Sequence, residues 1–122
     1  MLLAAVAIAG AVGAVLRYVV DRAVQSRAES DFPVGTLVVN ASGAVVLGFL
    51  TGAGIHHHLA NGWVTILGTG MIGAYTTFST FAYDVRRLLT EDAPVSALVD
   101  VGASVLAGLG AAAVGLALGA VV

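Results

Sequence analysis

The chain has 122 residues, of which 59% are hydrophobic and only 10% charged, with a net charge of −2; an ordinary soluble domain is about 25% charged. So short a chain leaves a large share of itself exposed, which excludes a water-soluble fold and points to lipid as the solvent. All five bases are Arg and there is no Cys, so a basic patch for nucleic acid, a disulfide framework, a thiolate metal site and a thiol nucleophile are excluded too.

Four stretches are long enough to cross a bilayer, which takes about 20 largely apolar residues. They predict one all-α transmembrane domain over residues 1–122, with spans at about 2–20, 34–55, 63–83 and 95–121. The first is free of charge from Met1 to Leu16 and continues past Arg17 to Val20. It has no basic leader and no clear cleavage site, so it reads as a span and not as a signal peptide. Phe32 to Ile55 and Leu59 to Tyr83 are uncharged, and Ala93 to Val122 holds one charge, Asp100. The connectors, Asp21 to Asp31, His56 to Gly62 and Asp84 to Pro94, are short and polar. Nothing remains outside the spans for a soluble catalytic domain, so function must reside in the membrane.

The third span is irregular. Gly68, Gly70 and Gly73 lead into Thr76 and Thr77, and glycine and β-branched threonine weaken helix in different ways. A break near residues 73 to 77 and a glycine-rich packing face both fit that spacing. Gly48 with Gly52, and Gly115 with Gly119, read as small-xxx-small packing contacts.

Polar groups inside a membrane span need a partner or a purpose. Thr36 and Asn40 share a face of the second span, while Asp100, Ser104 and Gly108 form a stripe on the fourth. Thr76, Thr77, Ser79 and Thr80 crowd the third, with Phe78 and Phe81 three apart. The structural alternative is that each hydroxyl bonds the carbonyl four residues back and that the two rings are core. Taken together, however, the hydroxyls and the Asn40 amide are donors, aromatic ring edges are electropositive, and Arg17 adds positive charge. Such groups can replace the hydration shell of a small anion, as carbonyls do for a cation. Catalysis is disfavoured and the chain is expected not to be an enzyme. His56, His57 and His58 point about 100° apart on a helix and cannot chelate together, so they read as a solvated loop.

Three segments resemble the Fluc (CrcB-type) fluoride channel family. They are Gly10-Ala11-Val12-Gly13-Ala14-Val15-Leu16-Arg17-Tyr18, then Gly35-Thr36-Leu37-Val38-Val39-Asn40 with Gly43 and Gly48, and Gly73-Ala74-Tyr75-Thr76-Thr77-Phe78-Ser79-Thr80-Phe81. The third is the most specific, and the order and spacing fit over all but the last quarter of the chain. The resemblance implies an antiparallel dimer of four-helix subunits in the plasma membrane, passing fluoride passively and so conferring fluoride resistance. It places Asn40, Phe78 and Phe81 at the pore, with Thr77, Ser79, Thr80, Ser104 and Arg17 as further pore or fluoride-binding candidates. It also implies a structural sodium ion held by backbone carbonyls at Gly73 and Thr76. Asp100, and the lack of a hydroxyl at Gly108, depart from the family's fourth-helix track.

Two rival classes remain at the level of sequence. A small multidrug-resistance-type transporter is also a tiny dual-topology dimer, but it needs a carboxylate deep in its first span, and Met1 to Leu16 has none. A non-conducting assembly subunit would need only the small-residue stripes. Charge adds a prediction about orientation. Arg22 and Arg27 in the first connector, Arg86 and Arg87 in the third, and Arg17 all lie toward one side, and the other side has no Lys or Arg. That bias favours a fixed topology with those connectors in the cytoplasm, and hence either a homodimer formed against it or a heterodimer with an oppositely oriented homologue.

Overall fold

Every regular element among residues 1–57 and 60–122, the part described by this computed structural model, is a helix. Helix α1 (Leu2–Ala28) has 27 residues, about 40 Å at 1.5 Å per residue, against a hydrocarbon core of about 30 Å. It outruns the expected span at Val20 because Asp21 to Ala28 contains neither Gly nor Pro, and Arg, Gln and Ala favour helix. The surplus length lets the turns bearing Arg22 and Arg27 stand outside the hydrocarbon.

Helix α2 (Val34–His57) starts directly after Pro33. One side chain clasps the turn before it. The Gln25 amide donates to the carbonyls of Ser30 at 2.7 Å and Phe32 at 3.0 Å, and accepts from the Gly35 N–H at 3.0 Å. At its other end α2 takes in His56 and His57, so these two belong to a final helical turn and not to a loop; His58 lies outside the described residues. The helix runs through Gly52 and Gly54 without a stop, and no Pro separates the two histidines from the apolar residues before them.

The tightest packing is between α2 and α6 (Pro94–Val121). A Cβ at Gly48 or Gly52 would strike the carbonyls of Ala112 and Leu116. In return, a Cβ at Gly115 or Gly119 would strike those of Val45 and Phe49. Each helix sets its glycine pair against the other's backbone. In lipid there is little hydrophobic drive between helices, and such close approach supplies the dispersion that replaces it.

The segment between α2 and α6 is composite, whereas α1, α2 and α6 are each long and apolar enough to cross a bilayer alone. A short α3 (Asn61–Val64) passes into π-helical turns over Thr65–Ile72 and then α4 (Gly73–Tyr75). Thr76 (φ −75°, ψ 158°) and Thr77 (φ −148°, ψ 126°) are extended, and α5 (Phe78–Thr90) follows. The π-helical turns lie on α1, where the missing side chain of Gly13 admits the Met71 carbonyl. After α5 the chain reverses at Asp92 (φ 56°), with the Ala93 N–H bonded to the Leu88 carbonyl at 2.9 Å. That is a left-handed helix stop, and Pro94 then opens α6. Arg87 donates to the Asp31 carbonyl at 2.8 Å, tying the first and third connectors together at one end of the molecule. Leu98, Leu106 and Leu109 on α6 are each at least 67% exposed, apolar surface that suits lipid or a second subunit.

Candidate functional site

The site is built around the two extended threonines. Thr77 caps α5: its hydroxyl oxygen accepts from the Thr80 N–H at 3.2 Å and donates to the Thr80 hydroxyl at 3.0 Å. That is the normal role of a threonine at a helix start. Across on α2, Asn40 pairs with the Thr77 backbone twice. The Thr77 N–H donates to Oδ1 at 2.8 Å, and Nδ2 donates to the Thr77 carbonyl at 2.9 Å. Extended backbone inside a membrane survives only when protein satisfies it; in this chain a single amide satisfies both backbone groups of Thr77.

These bonds redirect donors that an unbroken helix would have used. The N–H of Thr77 goes to Asn40, not to the Gly73 carbonyl four residues back. The N–H of Thr80 goes to the Thr77 hydroxyl, not to the Thr76 carbonyl. Carbonyls at Gly73 and Thr76 thereby lose their helical partners. Other hydroxyls follow the ordinary pattern: Thr76 bonds the Ile72 carbonyl at 3.1 Å and Thr51 the Leu47 carbonyl at 2.8 Å.

Two spaces meet at this clasp. A cavity of 190 Å³ is lined by Arg17, Asp21, Thr36, Thr77 and Thr80, among others. An open groove of 400 Å³ is lined by Asn40, Gly43, Thr77, Phe78, Phe81 and Ser104, among others. Thr77 borders both, so its pairing with Asn40 forms the wall between them. Phe78 and Phe81 lie 5.8 Å apart, centroid to centroid, with planes at 53°; Phe78 is 79% exposed, so its ring is not core. One Asn40 N–H is held by Thr77, which leaves the second for the groove. The groove thus combines an amide donor, a serine hydroxyl and aromatic edges, a set able to stand in for water around a small anion.

Of the sequence-predicted residues, Asn40, Phe78, Phe81 and Ser104 come together in the groove, and Arg17 and Thr80 in the cavity. Ser79 is exposed and borders neither space; its hydroxyl lies 3.3 Å from that of Thr77. Sequence reasoning missed Asp84. It is buried at the start of the third connector, just beyond the spans, and accepts a hydrogen bond from Thr36 at 2.8 Å. Burial pushes its carboxyl above the usual carboxylate range, while the Thr36 bond and then Arg87 pull it back. The available signal was Thr36 itself, a polar face residue left without a partner in the sequence. No group of three His, Cys, Asp or Glu side chains arranged for a metal occurs among the described residues, so a cation here would depend on backbone oxygens.

A small helical membrane protein whose donors converge on an interrupted helix has the groups an ion pathway needs. The chain belongs to the family described as CrcB-like protein, Camphor Resistance (CrcB), which matches residues 4–116. A protein of Leifsonia xyli subsp. xyli named Fluoride-specific ion channel FluC 1 is 47% identical over 115 residues, covering 94% of this chain and 84% of its own. A Nocardia farcinica protein of the same name is 50% identical over 110 residues, covering 89% and 74%. A Mycolicibacterium paratuberculosis protein named Fluoride-specific ion channel FluC 2 is 48% identical over 110 residues, covering 90% and 87%.

Proposed function

We propose that this chain is a subunit of a fluoride-selective channel in the cell membrane, giving passive fluoride export. The observation that carries the reading is the groove where Asn40, Phe78, Phe81 and Ser104 converge, in a chain whose relatives are named fluoride channels. Fluoride leaves water only if donors replace its hydration, and the groove offers donors and ring edges with no fixed positive charge to trap the ion. The transporter reading is not favoured, since the first 16 residues carry no acid. Proteoliposomes with a fluoride electrode should register fluoride efflux without chloride efflux. Phe81→Ile keeps apolar bulk but removes the ring edge, and should lower the flux at least about tenfold, the worth of roughly 1.4 kcal/mol at a barrier. Full flux in that variant would reduce the ring to packing.

The working unit in this reading is an antiparallel dimer with a sodium ion at the interrupted helix. Carbonyl oxygens at Gly73 and Thr76 fit it, because both lack their helical donors and oxygen ligands suit a hard cation. The ion would hold the extended segment in shape. Replacing all sodium with a bulky organic cation should lower the thermal stability of the purified protein; unchanged stability and flux would remove the ion from the account.

The inverted subunit is best supplied by an oppositely oriented homologue. The first and third connectors share one end of the molecule through Arg87 and Asp31, and that end has the Arg residues. A tag on the C-terminus of this chain, expressed alone in intact cells, should be accessible from outside only. Two populations of equal size, with flux from the single purified chain, would restore the homodimer.

A further inference from the structure

The fourth-helix acid has a geometry that the channel reading does not use. Asp100 is 1% exposed. Its Oδ1 accepts from the Ser104 hydroxyl at 3.4 Å, and its Oδ2 is buried with no hydrogen-bond partner among the described residues. Among the described residues the only ion pair is Arg87–Glu91, in the third connector, so no base compensates Asp100. Of the elements packed against it, α2 contains no Asp, Glu, Lys or Arg, and its histidines sit at the far end; α5 contributes Asp84, whose like charge reaches Asp100. A sealed carboxylate with one empty oxygen carries a large penalty, and a proton on it removes that penalty.

Ser104 connects this acid to the groove, because the residue whose hydroxyl reaches Asp100 also lines the space with Asn40, Phe78 and Phe81. A hydroxyl has one proton to give. When Asp100 is ionised it can only accept, so it claims the Ser104 proton and the groove meets oxygen lone pairs, which repel an anion. When Asp100 carries a proton it can donate to the Ser104 oxygen, and the Ser104 O–H is free to turn into the groove. The contact of 3.4 Å is long for an O–H···O bond, so the rotor is not locked either way.

We propose that Asp100 is a positioning residue that sets, through Ser104, whether the groove presents a hydrogen-bond donor or an acceptor to the passing anion, and so makes conduction depend on protonation of the fourth helix. This rests on the fluoride-channel reading of the groove. In the acid form the track has a serine donor opposite the Asn40 amide; in the ionised form it has lost that donor and gained a nearby negative charge.

The test uses the full chain in proteoliposomes, with any partner subunit it requires, and protein-free vesicles subtracted at each pH. Wild-type fluoride efflux should fall at least about tenfold from mildly acidic to mildly alkaline buffer, the lower end of what a hydrogen bond to a charged group is worth. Asp100→Asn always donates to Ser104, so its flux should stay high and flat with pH. Ser104→Ala should be low and flat, and Asp84→Asn should keep a pH-dependent profile of the same form, displaced toward lower pH because a like charge near Asp100 is gone. A pH-independent wild type, an unchanged profile in Asp100→Asn, or a profile abolished by Asp84→Asn overturns the proposal. A second readout does not need transport. Infrared difference spectra between the two pH values should show a protonated-carboxyl band that is absent in Asp100→Asn and shifted in Ser104→Ala. If flux is absent altogether but the band behaves so, the channel reading fails while the coupling stands; a band indifferent to Ser104→Ala overturns the coupling. Should Asp100→Asn not fold, Asp100→Ser retains a donor and takes its place in both measurements.

Discussion

Asn40→Ala should reduce fluoride flux at least a hundredfold and change the shape of the third crossing. The amide of Asn40 satisfies both backbone groups of Thr77. Alanine would leave an N–H and a C=O unpaired at membrane depth, at about 1–3 kcal/mol each. The chain can escape that penalty by rewinding, since the Thr77 N–H can return to the Gly73 carbonyl and join α4 to α5. Rewinding turns Phe78 by a large angle away from the groove and retracts the free carbonyls. Amide hydrogen exchange should then show Thr77 protected as in a continuous helix. Asn40→Asp separates geometry from chemistry. Its carboxylate still accepts from the Thr77 N–H but can donate neither to the Thr77 carbonyl nor to an anion, so it should keep more of the interrupted backbone than alanine does and still lose flux. An Asn40→Ala protein with wild-type flux would mean that the amide neither holds the backbone nor faces the ion.

The second large effect is expected at the seam between α2 and α6. Gly115→Leu should prevent recovery of folded protein in mild detergent, judged by size exclusion and by loss of a thermal transition. Overpacking a core ordinarily costs about 1–3 kcal/mol because neighbouring side chains shift. Here the atom in the way is the carbonyl of Val45, part of a helix backbone, so the two helices must part along their length. Parting them would also expose Ser104 and Asp100, which the seam keeps in place beside α5. Gly110 is the internal control: it lies on the same helix, and a methyl group there would meet nothing within 4 Å, so Gly110→Ala should fold normally. Equal behaviour of the two variants would show that the seam does not hold the subunit together.

Apolar runs made the three long helices α1, α2 and α6 legible, because lipid imposes one rule, about 20 apolar residues, that composition alone reveals. Helix ends were less legible. Nothing in hydropathy says that α1 continues past Val20 to Ala28, since charged helix formers extend a helix as readily as they end a span. The paired glycines at 48, 52, 115 and 119 announced close packing, but only the fold shows that they face each other. Around the third crossing, the residues that carry chemistry could be picked out one by one as polar groups in lipid. Their division into a groove and a cavity could not, because Asn40 and Thr77 are far apart in sequence and meet only through tertiary packing. The π-helical turns over Thr65–Ile72 left no trace in residue spacing. Asp84 was hidden by its position, as an acid just past a hydrophobic run reads as solvated until Thr36 is seen beside it.

The Gln25 clasp has a mechanical consequence. Three backbone groups hang on one side chain, two before Pro33 and one after it, so the corner between α1 and α2 behaves as a weld and not as a hinge. A helix longer than the bilayer is thick adjusts by leaning, and α1 has the surplus length to do so. With a welded corner it cannot lean alone: α2 must follow, and α2 carries Asn40. Bilayer thickness is then a force applied, through a glutamine, to the pairing of Asn40 with Thr77.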